Sequence, residues 1–204
     1  MLGKLLQDFL IIWATIDPIG TMALFAGLTG RLTPAARRKT AYKAIAYSAA
    51  VLLGAIVIGQ VILSAMGISL LSFQLAGGII LFLFGLQMIF SSGSEDEKME
   101  PQHDMAVFPL AIPATASPGA ILAVILLTDN QVYPVSEQVA TAVVMLLVLV
   151  MTMLLMLLSG AIIRVIGIGG ASILTRIMGM ILAALSVEFV MEALGVRQWV
   201  GGAL

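Results

Sequence analysis

The sequence predicts an all-α integral membrane protein with six transmembrane helices arranged as a 3+3 inverted repeat. Of its 204 residues, 61% are hydrophobic and 10% are charged, whereas a soluble domain carries about 25% charged residues. The apolar runs are continuous over about 20 residues, which is long enough to cross a bilayer as helices. They lack the alternation of membrane β-strands. Similar motifs also recur 100 positions apart, which predicts two related halves.

Six apolar runs define the predicted spans. Their bounds are Leu5–Leu28, Ala44–Met66, Leu71–Phe90, Ala106–Thr128, Gln138–Ile163 and Ile173–Leu194. Because no A-x-A-like cleavage site precedes Asp17, we expect the first span to be retained and not removed as a signal peptide.

Two of the spans contain a proline motif. Asp17 followed by Pro18 has the pattern of an N-cap and a first-turn proline, so a helix is predicted to restart near the middle of the bilayer. Ser117 followed by Pro118 has the same pattern 100 positions later (118 − 18). Helices 1 and 4 are therefore both predicted to be broken at these motifs.

The two halves of the chain share further positions. Gly67-Ile68 recurs as Gly167-Ile168 at the same offset of 100. Three spans in each unit require the second unit to be inverted. The predicted organisation is a first three-helix repeat at 1–90, a flexible acidic cytoplasmic linker at 91–105 and a second, inverted three-helix repeat at 106–204. Inverted repeats with interrupted helices are typical of secondary transporters.

Basic residues predict the orientation. Loops one, three and five contain Arg31, Arg37, Arg38, Lys39, Lys43, Lys98, Arg164 and Arg176. The opposite side contains only Lys4 and Arg197. By the positive-inside rule, loops one, three and five are cytoplasmic and both termini face outside.

The composition disfavours several classes of function. The formal net charge is −1, and there is one histidine and no cysteine. We therefore expect no disulfide, metal site or thiol chemistry. A net charge close to zero says little about nucleic acid or acidic partners, and we expect no nucleic-acid partner. A G-x-S-x-G elbow is also absent, so we expect no enzyme and no cofactor. The expected partners are the lipid bilayer, a small solute and a coupling ion, H⁺ or Na⁺.

The predicted substrate site lies between the two broken helices. Its residues are Asp17, Pro18, Gly20, Thr21, Thr115, Ser117, Pro118 and Gly119. Helix N-termini carry a partial positive charge that suits a carboxylate, while Asp17 could receive an ammonium group. A zwitterionic amino acid would satisfy both. In the alternative interpretation, Asp17 only caps its helix and both motifs are structural kinks.

Other polar and small residues in the spans have separate interpretations. Glu188 is predicted to hydrogen-bond Gln87 and to act in proton coupling, because both are polar groups within apolar spans. Gln60 is predicted to make an interhelical hydrogen bond. Gly179 and Ala183 have the spacing of a close helix contact. Helix faces of small residues occur in contacts within one chain as readily as in contacts between the subunits of a homo-oligomer.

Four motifs resemble those of the MarC family of multi-pass inner-membrane proteins. They are Asp17-Pro18-Ile19-Gly20, the segment Leu-Ala-Gly-Gly-Ile-Ile at 75–80, the segment Val-Phe-Pro-Leu-Ala-Ile-Pro at 107–113 with Ser117-Pro118-Gly119, and Arg176-Ile177-Met178-Gly179. The resemblance covers nearly the whole chain. It implies six transmembrane helices in a fold related to the LysE-type exporters, in the plasma (inner) membrane of a prokaryote. It also implies a role in moving small neutral amino acids.

The predicted function is secondary transport of small neutral amino acids or similar zwitterions. The mechanism would be alternating access at a central site between the two broken helices. One alternative is an ion or small-solute channel on the same repeat, with Asp17 as a selectivity group. Another is a membrane protein with a structural or regulatory role and no flux.

Overall fold

The computed structural model describes residues 2–90 and 104–196, and the regular elements within these ranges are all helical. They are α1 (Leu2–Ile16), α2 (Pro18–Thr29), α3 (Pro34–Ala65), α4 (Leu70–Phe90) and α5 (Pro118–Leu127), with a wide-turned helical segment, Ala106–Thr115, before α5. The last helical stretch, Val135–Ala193, is divided at Gly167 into α6 (Val135–Gly167) and α7 (Gly169–Ala193).

Five helical stretches are long and apolar enough to cross a membrane. They are Leu2–Thr29, Pro34–Ala65, Leu70–Phe90, Val135–Gly167 and Gly169–Ala193. A sixth span is obtained if Ala106–Thr115 and α5, which meet at 53°, are counted together. The prediction of an all-α, multi-pass membrane protein is therefore confirmed.

α3 begins ten residues earlier than the span predicted to start at Ala44. Thr33 is its N-cap, and the Thr33 hydroxyl accepts a hydrogen bond of 3.3 Å from the Ala36 N–H. Pro34 occupies the first turn, where its missing N–H costs nothing. Arg37, Arg38 and Lys39, which were predicted to lie in a loop, therefore lie on a helix. Hydropathy detects only the apolar part of such a helix, whereas its start is set by the cap.

The predicted fifth loop, around Gly167 and Gly169, is reduced to a break at a single residue. Gly167 has φ 69°, and α7 begins at Gly169. Gly67, between α3 and α4, has φ 68°. Only glycine adopts such a conformation at little cost, so both positions, 100 residues apart, require glycine at a helix break.

Glycine allows α4 and α7 to approach each other closely. A Cβ atom placed on Gly85 would lie 2.9 Å from the Gly179 carbonyl oxygen and 2.9 Å from the Ala183 nitrogen. No larger residue fits at this contact. The predicted packing face of Gly179 and Ala183 is confirmed, and it is used within the chain.

Of the acidic linker predicted at 91–105, residues 91–103 lie outside the described residues, and so does Arg197. Where the chain is described again, the Asp104 carboxylate lies 2.9 Å from the Lys43 ammonium group. Both side chains are exposed. The hydrogen bond from Lys43 and a second from the Ala106 N–H lower the pKa of Asp104.

Candidate functional site

Asp17 is the one residue between α1 and α2. Its backbone is left-handed, with φ 49° and ψ 71°, a conformation that aspartate tolerates better than most residues. Its carboxylate oxygen Oδ1 accepts a hydrogen bond of 3.1 Å from the Gly20 N–H. Asp17 is therefore the N-cap of α2, and Pro18 occupies the first turn.

Ser117 caps α5 and contacts the end of α1. Its hydroxyl oxygen accepts a hydrogen bond of 3.0 Å from the Ala120 N–H. The same hydroxyl donates a bond of 2.8 Å to the Thr15 carbonyl oxygen. One buried side chain thus connects the two proline motifs, which are 100 residues apart in sequence.

A cavity of about 320 Å³ lies where the two motifs meet, and we call it the central cavity. Of the predicted site residues, Asp17, Gly20, Thr21 and Ser117 line it, and Gln87 of α4 joins them. The remaining wall includes Thr15, Phe84, Met88, Pro113, Thr175 and Leu182. From the level of Asp17 the cavity extends along α2 toward Thr29, along α4 toward Phe90 and along α7 toward the break at Gly167.

Two polar groups in this wall keep hydrogen-bonding capacity. The hydrogen bond from the Gly20 N–H uses Oδ1 of Asp17, and no donor among the described residues bonds Oδ2. The Gln87 amide makes no hydrogen bond within the same part of the chain. A Cβ atom on Gly20 would overlap Oδ2 of Asp17, so glycine provides the space for this carboxylate. Since the described part of the wall contains no lysine, arginine or histidine, Asp17 is the one ionisable side chain among these lining residues.

Four of the predicted site residues shape the breaks and do not line the cavity. The Thr115 side chain is fully buried, and its hydroxyl donates a hydrogen bond of 2.8 Å to the Leu110 carbonyl. Gly119 packs directly against Leu81. Pro18 and Pro118 begin their helices.

The predicted hydrogen bond between Gln87 and Glu188 is not formed. Gln87 lines the central cavity, whereas Glu188 does not belong to the wall of that cavity. Matching positions in two repeats share a register, but the rotation of each helix decides where a side chain points. It is Gln74 that bonds an acid of α7, because its amide donates to Glu192 Oε2 at 3.1 Å.

Asp8 is a buried acid that the sequence analysis did not identify. It is 1% exposed, and its Oδ2 atom accepts hydrogen bonds from Lys4 at 2.8 Å and from the Thr141 hydroxyl at 2.6 Å. Lys4 also lies 4.2 Å from the centre of the Tyr133 ring. The spacing of four between Lys4 and Asp8 is the pattern that could have revealed the pair. The cluster joins α1 to α6.

Gln60 makes the predicted interhelical hydrogen bond. Its amide nitrogen donates to the Thr128 carbonyl at 3.1 Å, and its amide oxygen accepts from the Asn130 N–H at 3.2 Å. These bonds satisfy backbone groups at the end of α5. Within residues 2–90 and 104–196, no three acidic or histidine side chains cluster as metal ligands would.

Comparison with known proteins identifies relatives over almost the entire length. A family model described as "MarC family integral membrane protein" matches residues 2–199. The inner membrane protein MarC of Salmonella typhimurium (strain LT2) is 32% identical over 193 residues, which cover 86% of this chain and 87% of that protein. The inner membrane protein MarC of Escherichia coli O6:H1 (strain CFT073) is 32% identical over 195 residues, covering 87% and 88%. No solved structure matches the chain significantly.

Proposed function

Because the chain belongs to the MarC family of integral membrane proteins, we propose that it is a secondary transporter of small neutral amino acids or similar zwitterions. It would act by alternating access at the central cavity. The observation that carries the proposal is the Asp17 carboxylate, which lines this cavity with one oxygen bonded to the Gly20 N–H and the other free of donors among the described residues. An ionisable group within a membrane is costly unless it has a partner or a function.

The chemistry of the wall fits a zwitterion. Oδ2 of Asp17 can accept hydrogen bonds from an ammonium group, and the Gln87 amide can donate to a carboxylate. The N-terminus of α5 adds a partial positive charge near Ser117. A volume of about 320 Å³ is at the small end of ligand pockets, about 300–1,000 Å³. This size favours a small solute.

Local geometry supports the proposed inverted repeat. Asp17 and Ser117 each cap a helix that starts with proline. Thr29 and Thr128, at the ends of α2 and α5, each donate a hydrogen bond of 2.6 Å to the carbonyl four residues earlier. In an inverted repeat these two half-helices would enter the membrane from opposite sides and meet at the central cavity.

We further propose that both termini face outside and that the α2–α3 connection is cytoplasmic. The connection and the first turns of α3 contain Arg31, Arg37, Arg38 and Lys39. At the opposite ends of the described helices, Lys4 is the only basic residue. This asymmetry satisfies the positive-inside rule. The central cavity would then extend toward the cytoplasm.

The test is uptake of radiolabelled glycine and alanine into proteoliposomes under imposed proton or sodium gradients. The wild type would be compared with Asp17→Asn and with Asp104→Asn, an aspartate outside the cavity. We expect saturable, gradient-driven uptake that Asp17→Asn abolishes and Asp104→Asn retains. Flux that does not saturate would favour a channel. No uptake of either amino acid by folded protein under any gradient would refute the proposed function and favour a role without flux.

A further inference from the structure

A second and larger cavity opens at the other ends of the helices. It has a volume of about 610 Å³ and lies between the α3–α4 turn, the α5–α6 connection and the end of α7. We call it the vestibule and define it by its polar residues Gln60, Ser69, Gln74, Asp129 and Glu192 together with its apolar residues Ile11, Leu126 and Phe189. Among the described residues, its wall contains two carboxylates and no lysine, arginine or histidine. Such a wall attracts an ammonium group and repels an anion.

An apolar layer lies between the vestibule and the central cavity. Leu81, Leu122, Leu182 and Phe189 form one cluster, and each is at most 6% exposed. Leu182 lines the central cavity, while Phe189 lines the vestibule. The same cluster is therefore in contact with both cavities. Its residues come from α4, α5 and α7.

Two glycines close this layer tightly. Leu81 of α4 packs against Gly119 of α5, where an added Cβ atom would overlap the leucine side chain. In the reverse direction, Leu122 of α5 packs against Gly77 of α4, where an added Cβ atom would lie 2.6 Å from Leu122 Cδ2. At these two positions the backbones of α4 and α5 leave no room for a further side-chain atom. A charged or zwitterionic solute cannot cross such a layer without losing its hydration.

We propose that the vestibule is the second access of the solute path and that the four-residue layer is its closed barrier. This inference rests on the proposed function, because it supplies the opposite opening that alternating access requires. The Glu192 carboxylate, held by the buried Gln74 amide at 3.1 Å, is a group on this side that would bind the ammonium end of the solute. The structure is then the state in which the central cavity at Asp17 is open on the side of Thr29 and closed on the side of the vestibule.

The chain contains no cysteine, so accessibility can be measured with single-cysteine variants and no background. Ser69→Cys places a thiol in the vestibule, and Thr175→Cys places one in the central cavity. Each is reacted with a membrane-impermeant methanethiosulfonate reagent added to one side of sealed vesicles. We expect Ser69→Cys to react from one side and Thr175→Cys to react from the other, each about tenfold faster than from its opposite side. Equal reactivity of both thiols from the same side would overturn the proposal.

The barrier is tested by removing its side chains in the Thr175→Cys background. Phe189→Ala should raise the rate of labelling from the vestibule side by about tenfold, because it opens a cavity in the layer. Leu149→Ala removes a side chain that is also buried but lies outside the layer, and it should leave this labelling rate unchanged. Should Phe189→Ala fail to fold, Leu122→Val serves as a milder opening. Unchanged labelling in a folded layer variant, or an equal rise in Leu149→Ala, would refute the barrier.

These measurements use no transported solute. Absence of glycine and alanine uptake would therefore refute the proposed substrate class while the labelling pattern could still identify two separate openings. Conversely, normal uptake with both thiols accessible from the same side would refute the vestibule as second access and leave the substrate proposal standing.

Discussion

The Ser117 hydroxyl donates a hydrogen bond of 2.8 Å to the carbonyl oxygen of Thr15. Thr15 lies in the last turn of α1, where the break at Asp17 interrupts the regular helix, and Ser117 is the cap of α5. The bond thus holds the end of one half-helix against the start of another. It also explains why Asp17 and Ser117 line the same cavity.

Ser117→Ala should destabilise the protein by about 1–3 kcal/mol, because it removes an N-cap and leaves the buried Thr15 carbonyl without this donor. The measurement is thermal unfolding in detergent. Ser72→Ala is the control, since the Ser72 hydroxyl makes a hydrogen bond only at an exposed position, with Ser69. Equal melting temperatures for the two variants would contradict the structural role of Ser117.

Gly20→Ala should abolish glycine uptake, because the added methyl group would occupy the position of Asp17 Oδ2 and displace the carboxylate from the cavity. Gly27→Ala, in the same helix, is the matched control, since no heavy atom lies within 4 Å of its added Cβ. Gly27→Ala should retain uptake and gain stability by up to about 1 kcal/mol from helix propensity. Uptake assays with melting temperatures separate the two effects. Equal uptake by both alanine variants would argue against Asp17 as a binding group.

Gln87→Leu should raise the KM for glycine uptake by about tenfold, because one lost hydrogen bond to a charged group costs about 1.5 kcal/mol. Its stability should stay unchanged, since the Gln87 amide makes no hydrogen bond within the described chain. Gln138→Leu is the comparison, as its amide bonds the Tyr133 carbonyl outside the central cavity. A KM for Gln87→Leu equal to that of the wild type would remove this residue from the substrate site.

Asp8→Asn should destabilise the protein by about 3 kcal/mol, because Lys4 then loses the buried charge that it pairs with. The ion pair joins α1 to α6 through Thr141, so the loss should appear in thermal unfolding. Asp104→Asn breaks the exposed pair with Lys43 instead, and it should produce little change, since exposed ion pairs are screened by solvent. If the two variants melted alike, the burial of Asp8 would have no energetic consequence.

The exposed pair also has a defined pH dependence. Because Lys43 lowers the pKa of Asp104 in the folded protein, the stabilisation is fully present above the ordinary pKa of aspartate, and it declines as the pH falls through the lowered value. The size of this effect is small at an exposed site. Comparing the pH dependence of melting in the wild type and Asp104→Asn measures it.

Several features followed from local sequence alone. Continuous apolar runs determined the membrane class, since a run without the alternation of a barrel strand satisfies its backbone groups within a bilayer only as a helix. Asp17-Pro18 and Ser117-Pro118 determined where α2 and α5 begin, because a cap and a first-turn proline act within four residues. Thr33-Pro34 contains the same information for α3, whose polar first turns extend beyond the apolar run that hydropathy detects.

The tertiary structure alone decided which side chains meet. Gln87 lies in the wall of the central cavity and does not bond Glu188, and Asp8 bonds Thr141 across 133 residues of sequence. The vestibule is lined by residues of α1, α3, α4, α5 and α7, and the four-residue layer combines residues of α4, α5 and α7, so both likewise depend on contacts between helices. A helix pattern defines faces relative to its own axis, but the rotation and depth of each helix are set by packing against distant segments. The sequence by itself therefore determined the elements and their breaks, and packing decided the cavities between them.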